Sequence, residues 1–308
     1  MPDKPELAAA RRALLEKYLQ GEISPTASET VNKQDDTPLR VPVVPIRSSG
    51  SQTPFFYSYV HVDGGAFYCF TLAERMGPDQ PFYILEPYRF EEGEAPPSLE
   101  TMAAGYIEAM RRAQPHGPYL LGGFCGGGLI VFEMAHQLLQ QGEAVDLLLL
   151  VEPVDGPGPS TYRMVLRSMA GRLMRGVSQP LHIGAQQQLD WFLRIRHYYL
   201  LLRYREYRET HKPWLRPSSA TLHQDWIGIY VWVIAAYSPK KYPGKVTYLW
   251  AEDEFLSRKE WRGKQVEAAE REMIMIRGDH WSCRTEHLQE FAATLEQAVN
   301  QARGGAVD

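Results

Sequence analysis

The stretch from Pro118 to Leu138, PYLLGGFCGGGLIVFEMAHQL, constrains the chain more than any other. Tyr119, Leu120 and Leu121 form an apolar run that predicts a short buried strand, and Leu129, Val131, Phe132, Met134, Ala135 and Leu138 recur with helical spacing. Between them lies Gly123-Phe124-Cys125-Gly126-Gly127. A strand that turns abruptly into a helix forces the central residue of the turn into a strained backbone conformation, which small neighbours two before and two after make sterically allowed. The spacing predicts a nucleophile elbow, with cysteine where serine is usual. Cys125 then stands at a helix N-terminus, where free N–H groups and the helix dipole favour a thiolate. The competing reading, a small buried core cysteine, does not account for the flanking glycines. The glycines cannot be fitted to GxGxxG, and no Lys-Ser or Lys-Thr follows, so dinucleotide and phosphate-loop readings fail on spacing.

The 308 residues, 44% hydrophobic and 23% charged, suffice for one sizeable α/β domain plus an insertion. Apolar runs stay well short of a membrane span, and the first residues are polar without a signal-peptide core. Three cysteines, Cys69, Cys125 and Cys283, make no disulfide framework in a chain of this length. A reducing cytoplasm is the expected location, since it suits a cysteine nucleophile. The net charge of -4 gives no reason to expect a nucleic-acid partner.

Residues 1–40 read as a charged helix, Glu6 to Gly21, and a polar linker, Ser24 to Thr37. The domain proper is expected over 41–308. Strands are predicted at VPVVPIR, at FFYSYVHV (Phe55 to Val62), at FYILE (Phe82 to Glu86), and at DLLLLVEP (Asp146 to Pro153), the last a continuous apolar run that suits a central parallel strand. KVTYLWAED (Lys245 to Asp253) and EMIMIRGDH (Glu272 to His280) complete the set. Helices are expected near 66–76, 99–113 and 285–302. Alternating strands and helices predict a doubly wound, mainly parallel sheet with functional groups at the carboxyl ends of its strands. Cys125, Glu152, Asp253 and His280 all fall there.

Residues 155–222 break the alternation with two helical, arginine-rich pieces, a predicted helical lid above the strand ends. Between Ser160 and Lys212 stand nine Arg and one Lys against one Asp and two Glu. That local excess of seven positive charges suits an acidic partner or a phosphate, although arginines snorkelling over a surface helix explain it as well. Trp191, Phe192, Tyr198, Tyr199, Tyr204 and Tyr207 could line an acyl pocket or simply pack on the core.

A thiol nucleophile needs a base beside it and a carboxylate to orient that base. His280, in a Gly-Asp-His turn after the last strand, is the preferred base, with His61 its rival. Glu152 ends the strand after the elbow helix, and Glu252 and Asp253 end the next; either position can supply the acid. Gly126, just after the nucleophile, offers one oxyanion N–H. The second should come from the turn at Asp63-Gly64-Gly65, where the acidic residue is an odd choice beside an oxyanion. His280, Cys283 and His287 lie close in sequence but lack a fourth ligand of suitable spacing, so no metal is expected.

FFYSYVHVDGGAFYCFTLAERM resembles the opening His-x-x-Gly-Gly segment of thioesterase domains from nonribosomal peptide and polyketide synthetases, members of the α/β-hydrolase superfamily. PYLLGGFCGGGLIVFEMAHQL, LLLLVEP, YPGKVTYLWAEDE and GDHWSC resemble that family's later blocks in order, over roughly residues 41 to 303. The resemblance implies an α/β-hydrolase fold, Cys125 as nucleophile, Glu152 as acid, His280 as base, and Asp63 and Gly126 as oxyanion residues. It departs in the cysteine, the glutamate in place of the commoner aspartate, and the acidic oxyanion residue. It further implies no permanently bound cofactor, and a substrate carried on the phosphopantetheine of an acyl or peptidyl carrier protein. RRALLEKYLQGE is similar to an interdomain segment of such synthetases, so a larger assembly is an expected context. The implied activity is chain release through a Cys125 acyl-enzyme by hydrolysis, cyclisation or transfer to an amine. The alternatives are a freestanding editing thioesterase, a cysteine-dependent esterase or lactonase of small substrates, and an inactive hydrolase-fold binding module.

Overall fold

The computed structural model describes residues 41–59, 67–90, 94–153, 184–211, 217–257 and 266–304. Among them, seven strands form one sheet: β1 (Val43–Arg47), β2 (Phe55–Tyr59), β3 (Phe82–Leu85), β4 (Tyr119–Phe124), β5 (Val145–Val151), β6 (Tyr242–Ala251) and β7 (Ala268–Ile276). Their order is β1-β3-β2-β4-β5-β6-β7; β1 runs antiparallel to β3 and every other pairing is parallel.

Nine helices accompany the sheet in the described residues: α1 (Phe67–Arg75), α2 (Leu99–Met110), α3 (Gly126–Gln140), α4 (Ala185–Arg203), α5 (Arg205–His211), α6 (Ser219–Leu222), α7 (Trp226–Ala236), α8 (Glu252–Ser257) and α9 (Leu288–Gly304). The helix from Ala66 expected in the sequence is α1, and that near 99–113 is α2, capped by the Ser98 hydroxyl accepting from the Thr101 N–H.

Both faces of the sheet are covered, and this explains the unbroken apolar run of β5. Leu147, Leu149 and Val151 join Phe55, Tyr57, Leu120 and Phe124 against α1 and α9, where Leu72, Phe291 and Leu295 are buried. Leu148 and Leu150 point the other way, into a cluster with Phe56, Leu121, Tyr106 of α2, and Leu129 and Phe132 of α3. The alternation follows the period of two along each strand.

Strand order reverses between β2 and β4. The chain leaves β2 toward β3, crosses back to β4, and then continues outward through β5 to β7. The paired ends Tyr59 and Phe124 therefore flank a crevice at a topological switch point, the place where this architecture binds ligands.

Three differences from the sequence reading stand out. β7 begins at Ala268, before the run that marked it. The apolar segment Trp226–Ala236, given no element in the sequence reading, is the helix α7. It is apolar all round because Tyr230 and Val233 enter the main core, while Ile229 and Trp232 pack with Leu189, Phe192 and Leu193 of α4 and Leu222 of α6. Asp225 caps it by accepting from the Gly228 N–H, and also receives Arg196 of α4 at 2.6 Å. Finally, α8 starts at Glu252, so the residues read as a strand end open a helix. The expected helix and linker of 1–40, His61, Asp63, and residues 155–183 of the insertion lie outside the described residues.

Candidate active site

Cys125 joins β4 to α3 with φ 53° and ψ −123°. That strain depends on the flanking glycines. A Cβ on Gly123 would stand 2.6 Å from the Gly127 carbonyl oxygen, and one on Gly127 would stand 2.6 Å from the Ser58 carbonyl oxygen of β2. The turn is held by the Cys125 N–H donating to the Val151 carbonyl at 2.8 Å and the Gly128 N–H donating to the Cys125 carbonyl at 3.1 Å. Gly126 is the first residue of α3, where backbone N–H groups have no acceptor within the helix.

Among the described residues only two besides glycine have positive φ: Cys125 and Glu152, the latter at 45°. Strain of this kind costs about 1–3 kcal/mol per residue and concentrates at functional sites. Glu152 follows β5, and its side chain is 3% exposed. Its Oε1 accepts from the Ala251 N–H at the end of β6, at 2.6 Å, and its Oε2 faces His280 Nδ1 at 3.4 Å. With Nδ1–H donating to the carboxylate, Nε2 keeps the lone pair that can take a proton.

The elbow thiol neighbours the same imidazole and acts on its protonation. Burial by itself lowers the His280 pKa, but the hydrogen bonds with Cys125 and Glu152 and their charges outweigh it and raise the value to about 9. Asp253 is exposed at the start of α8, and its N–H donates to the Gly278 carbonyl at 3.1 Å. The carboxylate at His280 is therefore Glu152 and not Asp253.

The turn that carries His280 is built by its neighbours. Asp279 accepts from the N–H groups of Trp281 and Ser282, both at 2.8 Å, while its own N–H donates to the Ser282 hydroxyl at 2.8 Å. Those hydrogen bonds, Ser282 first, hold its carboxyl below the usual range. The Phe124 ring packs against the imidazole with centroids 4.8 Å apart. Sequence reasoning gave neither residue a role; Asp279 is signalled by its position three before a serine, an Asx-turn pattern, and Phe124 by nothing local.

The three cysteines differ sharply. Cys69 and Cys283 are fully buried; burial raises the Cys69 thiol far above its ordinary value and pushes Cys283 up to about 12. Cys125 is partly exposed. Buried thiols of this kind are inert, whereas a partly exposed one beside a base can react. No group of three or more His, Cys, Asp or Glu among the described residues is arranged to hold a metal. No described helix is long and apolar enough to cross a membrane.

Part of the chain, and its fold, have counterparts among known proteins. Residues 52–182 match the thioesterase-domain family model. That segment contains Asp63, Cys125 and Glu152, while His280 lies beyond it. The chain is 37% identical over 154 residues to malpinin synthetase of Mortierella alpina, covering 49% of this chain and 2% of that protein. It is 41% identical over 112 residues to a dimodular nonribosomal peptide synthase of Bacillus subtilis, covering 36% and 5%. Atromentin synthetase of Tapinella panuoides is 36% identical over 141 residues, covering 44% and 14%. The matched part is thus a small fraction of each of these large synthetases. Among solved structures, the NocB thioesterase domain of the nocardicin cluster superposes with a TM-score of 0.56 at 21% identity, over 85% of this chain and 99% of that one. The four-domain nonribosomal peptide synthetase AB3403 superposes with 0.55 at 21% identity, over 88% and 20%. The fold is the one seen in these thioesterase-domain structures.

Proposed function

We propose that the chain is a thioesterase domain that releases an acyl or peptidyl group from a carrier-protein phosphopantetheine through an acyl-enzyme on Cys125. The observation that supports this most is the convergence on one imidazole of the elbow thiol on one side and Glu152 on the other. In the proposed first half-reaction His280 takes the thiol proton and Cys125 sulfur attacks the thioester carbonyl. The Gly126 N–H, with an N–H from the turn at Asp63, holds the oxyanion. Collapse breaks the bond to pantetheine sulfur, which leaves with the proton from His280. In the second half His280 takes a proton from water, an amine or a hydroxyl of the product as that group attacks the Cys125 thioester; collapse breaks the acyl–sulfur bond, and His280 returns the proton to the Cys125 sulfur as the product leaves.

The cysteine has a chemical consequence. Loading exchanges thioester for thioester, so the acyl group stays activated toward amines as well as water. Transfer and cyclisation thereby become natural fates beside hydrolysis. In this reading the helical segment between β5 and β6 is a lid, residues 1–40 tether the domain to a larger synthetase, and a carrier protein is the partner.

Turnover of acyl-pantetheine and acyl-carrier thioesters tests the proposal. Cys125→Ala and His280→Ala should each lose about 10³-fold or more in kcat, as expected when a member of such a triad is removed. A wild type no faster than either variant on both substrate forms would refute it and favour the binding-module alternative.

A further inference from the structure

Arg284 ends the short 3-10 turn Ser282–Arg284 after His280, and it is 8% exposed. Among the described residues it makes no ion pair, and its Nη2 is buried without a hydrogen-bond partner. Its Nε donates to the His280 carbonyl at 3.4 Å. The guanidinium carbon lies 4.4 Å from the Phe124 ring centroid, 4.9 Å from that of Trp281 and 5.5 Å from that of Tyr68 on α1. One cation therefore touches the residue before the nucleophile, the turn of the base, and helix α1.

Burying a guanidinium without a carboxylate is costly, and an apolar side chain of similar length could fill the same space without that cost. The charge must then contribute what packing alone does not. Attraction to the face of Phe124 fixes the ring on which the imidazole rests, and the bond to the His280 carbonyl fixes the backbone of the base. By Coulomb's law a cation bonded to the His280 backbone also disfavours the imidazolium. His280 is faced by Cys125 from the elbow, Glu152 from the end of β5, Asp279 within its own turn, and Cys283 and Arg284 after it. Negative charge on Cys125, Glu152 and Asp279 favours the imidazolium, and Arg284 opposes it.

We propose that Arg284 is a positioning residue, which clamps His280 onto Phe124 and eases release of the proton the imidazole must give up to act as a base. This rests on the thioesterase reading for its consequence in turnover, and on geometry alone for its effect on His280.

The test uses the full chain with Arg284→Met, Arg284→Gln and Arg284→Lys, followed by histidine-ring NMR titration, thermal midpoint, and kcat and KM on an acyl-pantetheine thioester. In the Met and Gln variants the His280 titration should move to higher pH. Their kcat should fall by about 10²-fold, the scale of a displaced catalytic group, with KM within about twofold, and the thermal midpoint should be no lower than that of the wild type. Lys should return the titration toward its wild-type position. Should Met fail to fold, the polar Gln variant carries the same comparison. Wild-type titration and kcat in a neutral variant, or a kcat loss that follows only a lowered thermal midpoint, would overturn the proposal. The titration needs no substrate, so a wild type without thioester turnover would sink the functional reading and leave this test standing.

Discussion

Glu152 is one methylene longer than the commoner aspartate, and its φ of 45° together with the bond from the Ala251 N–H holds the longer side chain in place. Its effect on His280 can be read by titration. Burial lowers the imidazole pKa, but Cys125 and Glu152 raise it from 6.5 to about 9, so between these values the folded protein keeps a proton that the unfolded chain has lost. The stabilisation is complete below 6.5 and disappears as pH rises through about 9. Glu152→Gln keeps the volume and removes the charge. In the variant the His280 NMR titration should shift toward 6.5, and stability should begin to fall at lower pH than in the wild type; an unmoved titration would mean that Glu152 does not act on the imidazole. At this scale a thiol in an elbow, candidate carboxylates at strand ends and a histidine in the turn after the last strand could be read from the chain, because each follows a strand. The choice of Glu152 over Asp253 could not, since it depends on which carboxylate points at the imidazole. Phe124 and Arg284 were equally hidden, because a ring or cation stacked behind the site leaves no mark in local spacing.

The elbow was legible as an element because its constraint is steric. Gly127 packs against Ser58 of β2, so the same glycine that permits the turn sets how closely α3 approaches the sheet. Gly127→Ala forces the backbones of β2 and α3 apart, and the expected cost is about 3 kcal/mol, at the upper end of ordinary overpacking. Urea unfolding should show the loss as a lower midpoint, and a midpoint equal to wild type would contradict the packing account. Strands β2, β4 and β5 announced themselves as apolar runs because both faces of the sheet are covered. Helix α7 did not, for the same physical reason: it is buried against two clusters at once, so no polar face reveals the helical period. The first residues of β7, Ala268 to Arg271, alternate poorly at the sheet's edge, and only their pairing with Tyr242 to Val246 makes them strand.

Across the whole molecule, strand order explains why distant residues meet. The reversal between β2 and β4 opens the crevice at the elbow, and β5 and the turn after β7 bring Glu152 and His280 to it from 27 and 155 positions further along the chain. Alternating strands and helices made the doubly wound class legible. Helical packing over 184–211 and 217–222 was legible only as helix, because which cluster each face joins depends on α7. Everything in the proposed function depends on Cys125 carrying the acyl group. Intact mass after brief exposure to an acyl-pantetheine thioester reads this directly, beside Cys125→Ala. One acyl mass added to the wild type and absent from the variant is the predicted result, with the adduct lost faster to amines than to water. An adduct of equal yield on both proteins, or none on the wild type despite thioester turnover, would contradict it.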